Sequence, residues 1–136
     1  MSQENTRVLL SSRPQGWVTQ ENFDITQSST PNVEQGQMLV RNLWLSLDPY
    51  MRGRMNDAES YVPPFQVGEV LQGQAVAEVV ASKHEKFSEG DLVTGMFGWE
   101  EYSLSGGEGV RKVERSGVPL RFIHLQPHVR RMMRRL

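Results

Sequence analysis

The segment MLVRNLWLSLDPYMRGRM, residues 38–55, contains the strongest local signals in the chain. Residues 38–45 alternate apolar and polar side chains and are rich in Trp, Leu and Val, a pattern that predicts a half-buried β-strand. Pro49 ends that strand because it has no N–H for a sheet ladder, and Asp48 can bond the backbone two residues later. The DPYM motif therefore predicts a turn or a single helical turn at the edge of a sheet.

Residues 50–54 place a phenol, a thioether and two guanidinium groups directly after this strand. Two interpretations of these side chains are open. In the first, Tyr50 and Met51 pack into a core while both arginines are solvated. In the second, the segment is a functional loop on a rigid scaffold, where binding and catalytic groups are common.

Short β-patterns recur on both sides of this segment. The predicted strands are residues 7–11, 23–27, 38–45, 74–81, 92–97 and 101–104. Residues 61–65 contain two successive prolines and cannot form a central strand. No long helix pattern precedes residue 120, and the chain has 12 glycines. Short strands at near-regular spacing predict an all-β barrel or sandwich.

The composition is that of one soluble domain without cysteine chemistry. A length of 136 residues suits a single core, and 38% hydrophobic with 23% charged residues is ordinary for a globular protein. The absence of Cys excludes disulfides and every cysteine-ligated zinc site. Because there is no apolar stretch of membrane-spanning or signal-peptide length, we expect a cytoplasmic protein without a membrane partner.

The charges divide sharply along the chain. Residues 1–114 hold all 16 acidic residues and nine basic ones, a net charge of −7, whereas residues 115–136 hold six Arg and no acid. Residues 118–136 therefore form a basic tail, in which Val129, Met132, Met133 and Leu136 share one helical face. Three interpretations stay open: a disordered or docked tail, a surface-binding amphipathic segment, or out-of-frame sequence after a truncation. The abrupt change in composition favours the third.

Two motifs of the chain superficially resemble a nucleotide site and a metal site. Glycine-rich residues 106–109 lack the GxGxxG spacing of a Rossmann turn and predict a hairpin turn instead, so no nucleotide-binding Rossmann domain is expected in this chain. His124 and His128 have the spacing of two metal ligands on a helix, but Pro127 separates them and no third ligand lies nearby. We therefore expect no metal site, and no nucleic-acid partner.

Four segments together resemble a known enzyme family. They are SLDPYMRGRM (residues 46–55), YVPPFQVGEVLQG (61–73), FSEGDLV (87–93) and GWEEYSLS (98–105). Their order is similar to that in the zinc-independent branch of the medium-chain dehydrogenases/reductases, which contains leukotriene B4 12-hydroxydehydrogenase, prostaglandin reductase, 2-alkenal reductase and curcumin reductase. The resemblance implies a mainly β fold for residues 1–117, a GroES-like partly open β-barrel with short helical turns, followed by the basic tail.

The resemblance also implies an activity: NADPH-dependent reduction of the carbon–carbon double bond of a small enone or enal. Tyr50 would contact the substrate and donate a hydrogen bond to its developing oxyanion. The side chains that would line the substrate are Met51, Tyr61 and Phe65. Arg52 would contact NADP(H), since a guanidinium binds phosphate well.

Two expectations follow for the isolated chain. The nucleotide-binding domain is absent from these 136 residues, so the chain alone is expected to be inactive with no cofactor bound. The family completes its barrel with later strands, so an uncovered strand edge predicts a homo-oligomer. The alternative function is a non-catalytic GroES-like binding or assembly module.

We predict that the 136-residue chain has no measurable affinity for NADP(H), because a phosphate-binding turn leading into a helix is not encoded. Calorimetric titration of the purified chain with NADPH measures this directly. Binding in the micromolar range would contradict the prediction.

Overall fold

The computed structural model describes residues 4–58 and 62–113. All six predicted strands are present; β3 has the predicted bounds, and the others differ at their ends by up to three residues. A short 3-10 turn, Gln20–Asn22, precedes the second strand. The elements are β1 (Glu4–Leu10), β2 (Phe23–Ser29), β3 (Met38–Leu45), α1 (Tyr50–Arg54), β4 (Gln72–Ser82), β5 (Leu92–Gly98), β6 (Tyr102–Ser105) and β7 (Arg111–Lys112).

The strands form two open antiparallel sheets. One contains β1 and β2, and the other has the order β6-β3-β4-β5-β7. The long β4 pairs with β3 on one side and β5 on the other, so its alternate side chains face the centre of the fold. The prediction of a mainly β, partly open architecture is confirmed. Among the described residues, no helix has the length and apolarity needed to cross a membrane.

Strand β1 connects the two sheets. One of its edges pairs with β2, and the other bonds to segments that flank the larger sheet. The N–H of Val8 donates to the carbonyl of Trp99 at 2.8 Å, and the N–H of Leu71 donates back to the carbonyl of Val8 at 3.2 Å. Glu101 N–H likewise donates to the carbonyl of Thr6 at 3.0 Å. Both edges of β1 are therefore satisfied, which holds the sheets in one body.

The predicted hairpin turn at residues 106–109 is wrong. β6 pairs with β3, whereas β7 pairs with β5, so the two strands lie at opposite ends of the five-stranded sheet. The glycines do form a turn, with φ of 89° at Gly107 and 70° at Gly109, where L-residues are strained. Turn residues predict a change of direction, but the strand that the chain meets next depends on long-range pairing.

Two apolar clusters form the core. The first lies on the larger sheet and contains Met38, Val40, Leu45, Ala75, Ala77, Val79, Phe87, Val93 and Phe97. The second lies beneath α1 and contains Leu10, Met51, Met55, Phe65 and Leu71. Leu47 and Trp99 pack against both clusters, and Trp99 also stacks on Phe23. The short helix is thereby part of the same packed interior as the sheets.

Gly73 of β4 allows α1 to approach the sheet. A Cβ atom at this position would lie 2.6 Å from Cε of Met51 and 3.2 Å from the backbone carbonyl oxygen of Ser46. The Met51 side chain is buried, which limits its freedom to move aside. The carbonyl belongs to the segment that leads into α1. A side chain at residue 73 would therefore force the Met51 methyl group and the segment leading into α1 to shift.

We predict that Gly73→Ala destabilises the chain by about 1–2 kcal/mol, the scale of overpacking a well-filled site. Gly53→Ala is the matched control, since a Cβ on that helical glycine meets nothing within 4 Å. The control should be neutral or stabilising by about 0.5–1 kcal/mol, because Ala favours helix over Gly. Urea unfolding of the three proteins compares them; equal midpoints for Gly73→Ala and the parent would show that α1 is not seated through Gly73.

Candidate functional site

The end of β3 is stabilised by a compact turn that starts α1. Ser46 Oγ donates to Asp48 Oδ1 at 2.9 Å, and the Asp48 N–H points to Sδ of Met51 at 3.4 Å. Pro49 has the helical backbone angles φ −57° and ψ −33°, and the Met51 N–H donates to the Asp48 carbonyl at 3.1 Å. The predicted helical turn after Pro49 is confirmed, and its first residue is Tyr50.

Tyr50 is the exposed functional group of this turn. Its side chain is 46% exposed, and its hydroxyl makes no hydrogen bond to any residue that the structure describes. Partial burial raises the pKa of the Tyr50 phenol, the charge of Asp48 raises it further, and the charge of Arg54 acts in the opposite direction. The net effect is a phenol that keeps its proton at neutral pH, so it can donate a hydrogen bond.

Met51 and Phe65 lie beneath the helix. They are 3% and 5% exposed and belong to the second core cluster, so they support α1 from the protein side. Their part in lining a substrate stays a prediction. Tyr61, the fourth residue predicted for this site, lies outside the described residues, as do the basic tail 118–136 and the two histidines within it.

Arg52 ties α1 to the loop that follows β1. Its Nε donates to the carbonyl of Gly16 at 2.9 Å, its Nη2 to the carbonyl of Pro14 at 3.0 Å, and its Nη1 to Oδ1 of Asn56 at 2.7 Å. All three guanidinium nitrogens thus have acceptors inside the chain. This geometry favours a tethering role for Arg52, and a contact with a cofactor stays a prediction.

Two further arginines anchor the same helix. Arg13 Nη1 donates to the carbonyl of Met55 at 2.8 Å, just beyond the end of α1. Arg54 Nε donates to the carbonyl of Pro63 at 3.1 Å, and its guanidinium lies 4.1 Å from the centre of the Phe65 ring. Sequence reasoning missed Arg13, because the acceptors are backbone carbonyls and no residue type marks them.

A cavity of about 360 Å³ lies elsewhere, between β1, β6 and the paired ends of β4 and β5. None of the predicted site residues lines it. Arg7 Nε bonds Oε2 of Glu100 at 3.0 Å, and Ser103 Oγ donates to the other oxygen of that carboxylate at 2.9 Å. Three of its polar side chains therefore bond one another, and a lining rich in polar groups suits an apolar enone poorly. This cavity could not be predicted from the sequence, because the residues that line it come from separate strands.

Among the described residues, no group of three or more His, Cys, Asp or Glu side chains could hold a metal ion. The chemistry that this surface offers is hydrogen-bond donation from an exposed phenol. The helix that carries the phenol is fixed on three sides, by Gly73 and by the tethers of Arg52 and Arg54.

The fold described above is that of a domain found in a family of known proteins. Residues 6–113 match the model of the family described as the N-terminal domain of oxidoreductase. The chain belongs to that family. The GroES-like fold implied by the sequence is confirmed by solved structures of similar proteins, in which the matching domain is about a third of a longer chain.

Within that class, the chain is similar to reductases that are named as NADP(H)-dependent. It is 44% identical over 111 residues to the NADPH-dependent curcumin reductase of Escherichia coli, covering 82% of this chain and 32% of that protein. It is 39% identical over 123 residues to the 2-alkenal reductase (NADP+-dependent) of Nicotiana tabacum, covering 87% and 36%. The crystal structure of CurA from Vibrio vulnificus in complex with NADPH superposes with a TM-score of 0.75 at 48% identity, covering 79% and 32%. The chain therefore spans about a third of the length of these relatives.

We predict opposite shifts in the pKa of Tyr50 when its two charged neighbours are neutralised. Asp48→Asn should lower the pKa and Arg54→Gln should raise it, because the carboxylate disfavours the phenolate and the guanidinium favours it. The phenolate absorbance of each variant, minus that of the same variant carrying Tyr50→Phe, isolates this residue. If both substitutions shifted the pKa of Tyr50 in the same direction, altered burial and not the neighbouring charges would control that pKa.

Proposed function

We propose that this chain is the substrate-side domain of an NADPH-dependent reductase that reduces the carbon–carbon double bond of enones and enals. The observation that carries the proposal is the exposed, protonated Tyr50 phenol on a helix that three contacts hold in place. The relatives support it, since two of them are named as NADP-dependent reductases of curcumin and of 2-alkenals.

The proposed chemistry separates the work of the cofactor from that of this domain. When bound, NADP(H) would supply the hydride that adds to the β-carbon of the substrate, and the resulting enolate, with negative charge on its oxygen, would take a proton from water at its α-carbon. Tyr50 would donate its O–H to that oxygen and stabilise the charge as it develops. An ordinary tyrosine, with a pKa of about 10, already keeps its proton at neutral pH. Burial and the charge of Asp48 raise the pKa of Tyr50 further, so the phenol remains a hydrogen-bond donor.

The described residues do not by themselves form a dinucleotide site. The glycine-rich turn after β6 does not lead into a helix, and the nitrogens of Arg52 are already bonded within the chain. We therefore propose that NADP(H) binds mainly to the part of the whole protein beyond these residues, and we derive no cofactor contact here. The cytoplasmic location and the homo-oligomeric state stay predictions.

A domain replacement tests the activity. Residues 6–113 of this chain replace the matching segment of the E. coli curcumin reductase, and NADPH oxidation is followed with an enone substrate. We call this protein the fusion. Enone-dependent NADPH oxidation would support the proposal. A fusion that folds by circular dichroism and binds NADPH, yet reduces no enone, would contradict it and favour the non-catalytic module.

We predict that Tyr50→Phe lowers kcat/KM of the fusion by roughly 5- to 150-fold, which corresponds to about 1–3 kcal/mol for an unmade hydrogen bond to a charged group. The ring and its packing are retained, so the loss reports the hydroxyl. Tyr102→Phe is the matched control, since it removes the same atom from β6, which pairs with the far end of β3. If kcat/KM were equal for Tyr50→Phe and the parent, the Tyr50 hydroxyl would have no part in the reaction and the residue would serve in packing alone.

A further inference from the structure

Arg13 holds the end of α1 that lies farthest from Tyr50. It is a partly buried residue of the loop after β1, and its Nη1 donates to the Met55 carbonyl at 2.8 Å. Met55 is the C-cap of α1, and the last carbonyls of a helix have no N–H partner within the helix. A charged donor here satisfies a carbonyl that would otherwise need water. Within the described residues, this is the one hydrogen bond that Arg13 makes.

Arg52 forms the return connection from α1 to the same loop. Two residues along an α-helix correspond to about 200° of rotation, so the Arg52 side chain leaves α1 on nearly the opposite face from Tyr50. There it donates to the carbonyls of Pro14 at 3.0 Å and Gly16 at 2.9 Å. The loop is thus bonded to the back of the helix, and Tyr50 on the front is left 46% exposed.

The loop is itself held in shape by one buried amide, that of Asn22, which is 7% exposed. The Ser11 N–H donates to the Asn22 carbonyl at 2.7 Å, and Asn22 Nδ2 donates to Oγ of Ser12 at 3.1 Å. At the other end of the loop, the Thr19 N–H donates to Oδ1 of Asn22 at 2.8 Å. Both ends of the loop are therefore tied to one residue, so Arg13 extends from a fixed support.

Two contacts set the direction of the α1 axis. Near the start of the helix, Met51 lies against Gly73 of β4, and at its end Met55 is bonded to Arg13. Met51 and Met55 are four residues apart, a distance of about 6 Å at 1.5 Å per residue. If the Met55 end moved by about 1 Å, the helix would turn by roughly 10° about Met51. Functional groups need to be held to within about 10–20°, so the bond at the far end bears on the phenol.

We propose that Arg13 is a positioning residue that directs the Tyr50 phenol by fixing the far end of α1. The inference rests on the proposed function, in which this phenol donates to the carbonyl oxygen of the substrate. In this role Arg13 contacts neither substrate nor cofactor and acts only through the helix. Because the Met55 side chain is buried in the core, loss of Arg13 loosens the end of α1 without unfolding it.

The first test uses the 136-residue chain and needs no enzyme activity. Arg13→Met removes the donors and keeps most of the apolar stem. The pKa of Tyr50 should fall towards its ordinary value, because burial is the largest cause of its increase and a loosened helix buries the phenol less. Loss of a nearby positive charge alone would raise that pKa, so the direction of the shift separates positioning from electrostatics. Phenolate absorbance, minus that of the Tyr50→Phe form of each variant, gives the pKa.

Matched substitutions complete this titration, and each variant must retain the circular dichroism of the parent. Arg41→Met removes the same group from an exposed position of β3 and should leave the pKa of Tyr50 unchanged. Arg13→Lys keeps one charged donor for the Met55 carbonyl and should retain the parent pKa. If Arg13→Met does not fold, Arg13→Gln takes its place, with a smaller fall expected. A pKa that is unchanged or raised, or an Arg13→Lys variant that behaves like Arg13→Met, would overturn the inference.

The second test uses the fusion and asks whether Arg13 acts through the phenol. Arg13→Met should lower kcat about ten-fold and change KM by less than about two-fold, since a donor misplaced by about 1 Å loses transition-state stabilisation and not substrate binding. In the Tyr50→Phe background the same substitution should have no further effect on kcat, because the hydroxyl that it positions is gone.

The two proposals fail in different ways. An equal loss of kcat with and without the Tyr50 hydroxyl would indicate a general structural role for Arg13 and overturn the inference. A parent fusion that folds and binds NADPH but reduces no enone would overturn the proposed function, while the titration of the 136-residue chain would still decide whether Arg13 positions Tyr50.

Discussion

The close approach of α1 to β4 at Gly73 is the constraint on which the site depends. Because residue 73 has no side chain, Met51 can lie against the strand and close the cluster formed with Leu10, Phe65 and Leu71. That burial gives a helix of five residues a stability that its own hydrogen bonds cannot supply, since isolated helices of this length do not form. The exposed face of the same helix then carries Tyr50 in a defined position.

Around the contact between α1 and Gly73, arginine side chains donate hydrogen bonds to the backbone of neighbouring segments. Arg52 and Arg54 extend from α1 to the segments before and after it, and Arg13 returns a bond to the end of the helix. The acceptors Pro14, Gly16 and Pro63 are carbonyls in loops, which would otherwise require water. A charged donor strengthens each bond, so loops without regular secondary structure acquire fixed positions relative to the helix.

The two polar regions of the molecule differ in how their groups are used. In the cavity near β6, the Glu100 carboxylate accepts from both Arg7 and Ser103, so the charge is neutralised internally. At α1 the phenol of Tyr50 has no partner among the described residues, while Asp48 and Arg54 act on its pKa in opposite directions. Unused donors at a surface are available to a ligand, whereas satisfied ones are not. The available donor at α1 therefore supports the proposal that a carbonyl oxygen binds at the helix surface and not in the cavity near β6.

The sequence by itself determined the local elements of this protein. Alternation over residues 38–45 predicted β3 at its observed bounds, Pro49 predicted the helical turn, and four ordered motifs indicated the family. Tyr50 was predicted as a site residue because it lies in the SLDPYMRGRM motif and its phenol can donate a hydrogen bond; that role stays a prediction. These features depend on contacts within a few residues, which is why pattern and backbone preference were sufficient.

Only the tertiary structure decided how those elements meet. The turn at residues 106–109 was visible, but its prediction as a hairpin failed because β7 pairs with β5, and strand partners are set by long-range packing. The hydrogen bonds of Arg13 and Arg52 that join α1 to the loop after β1 were not predictable, since their acceptors are mainly backbone carbonyls, which every residue possesses. The need for Gly at position 73 likewise arises from an atom of Met51, 22 residues earlier in the chain, which comes into contact only when the sheet has formed.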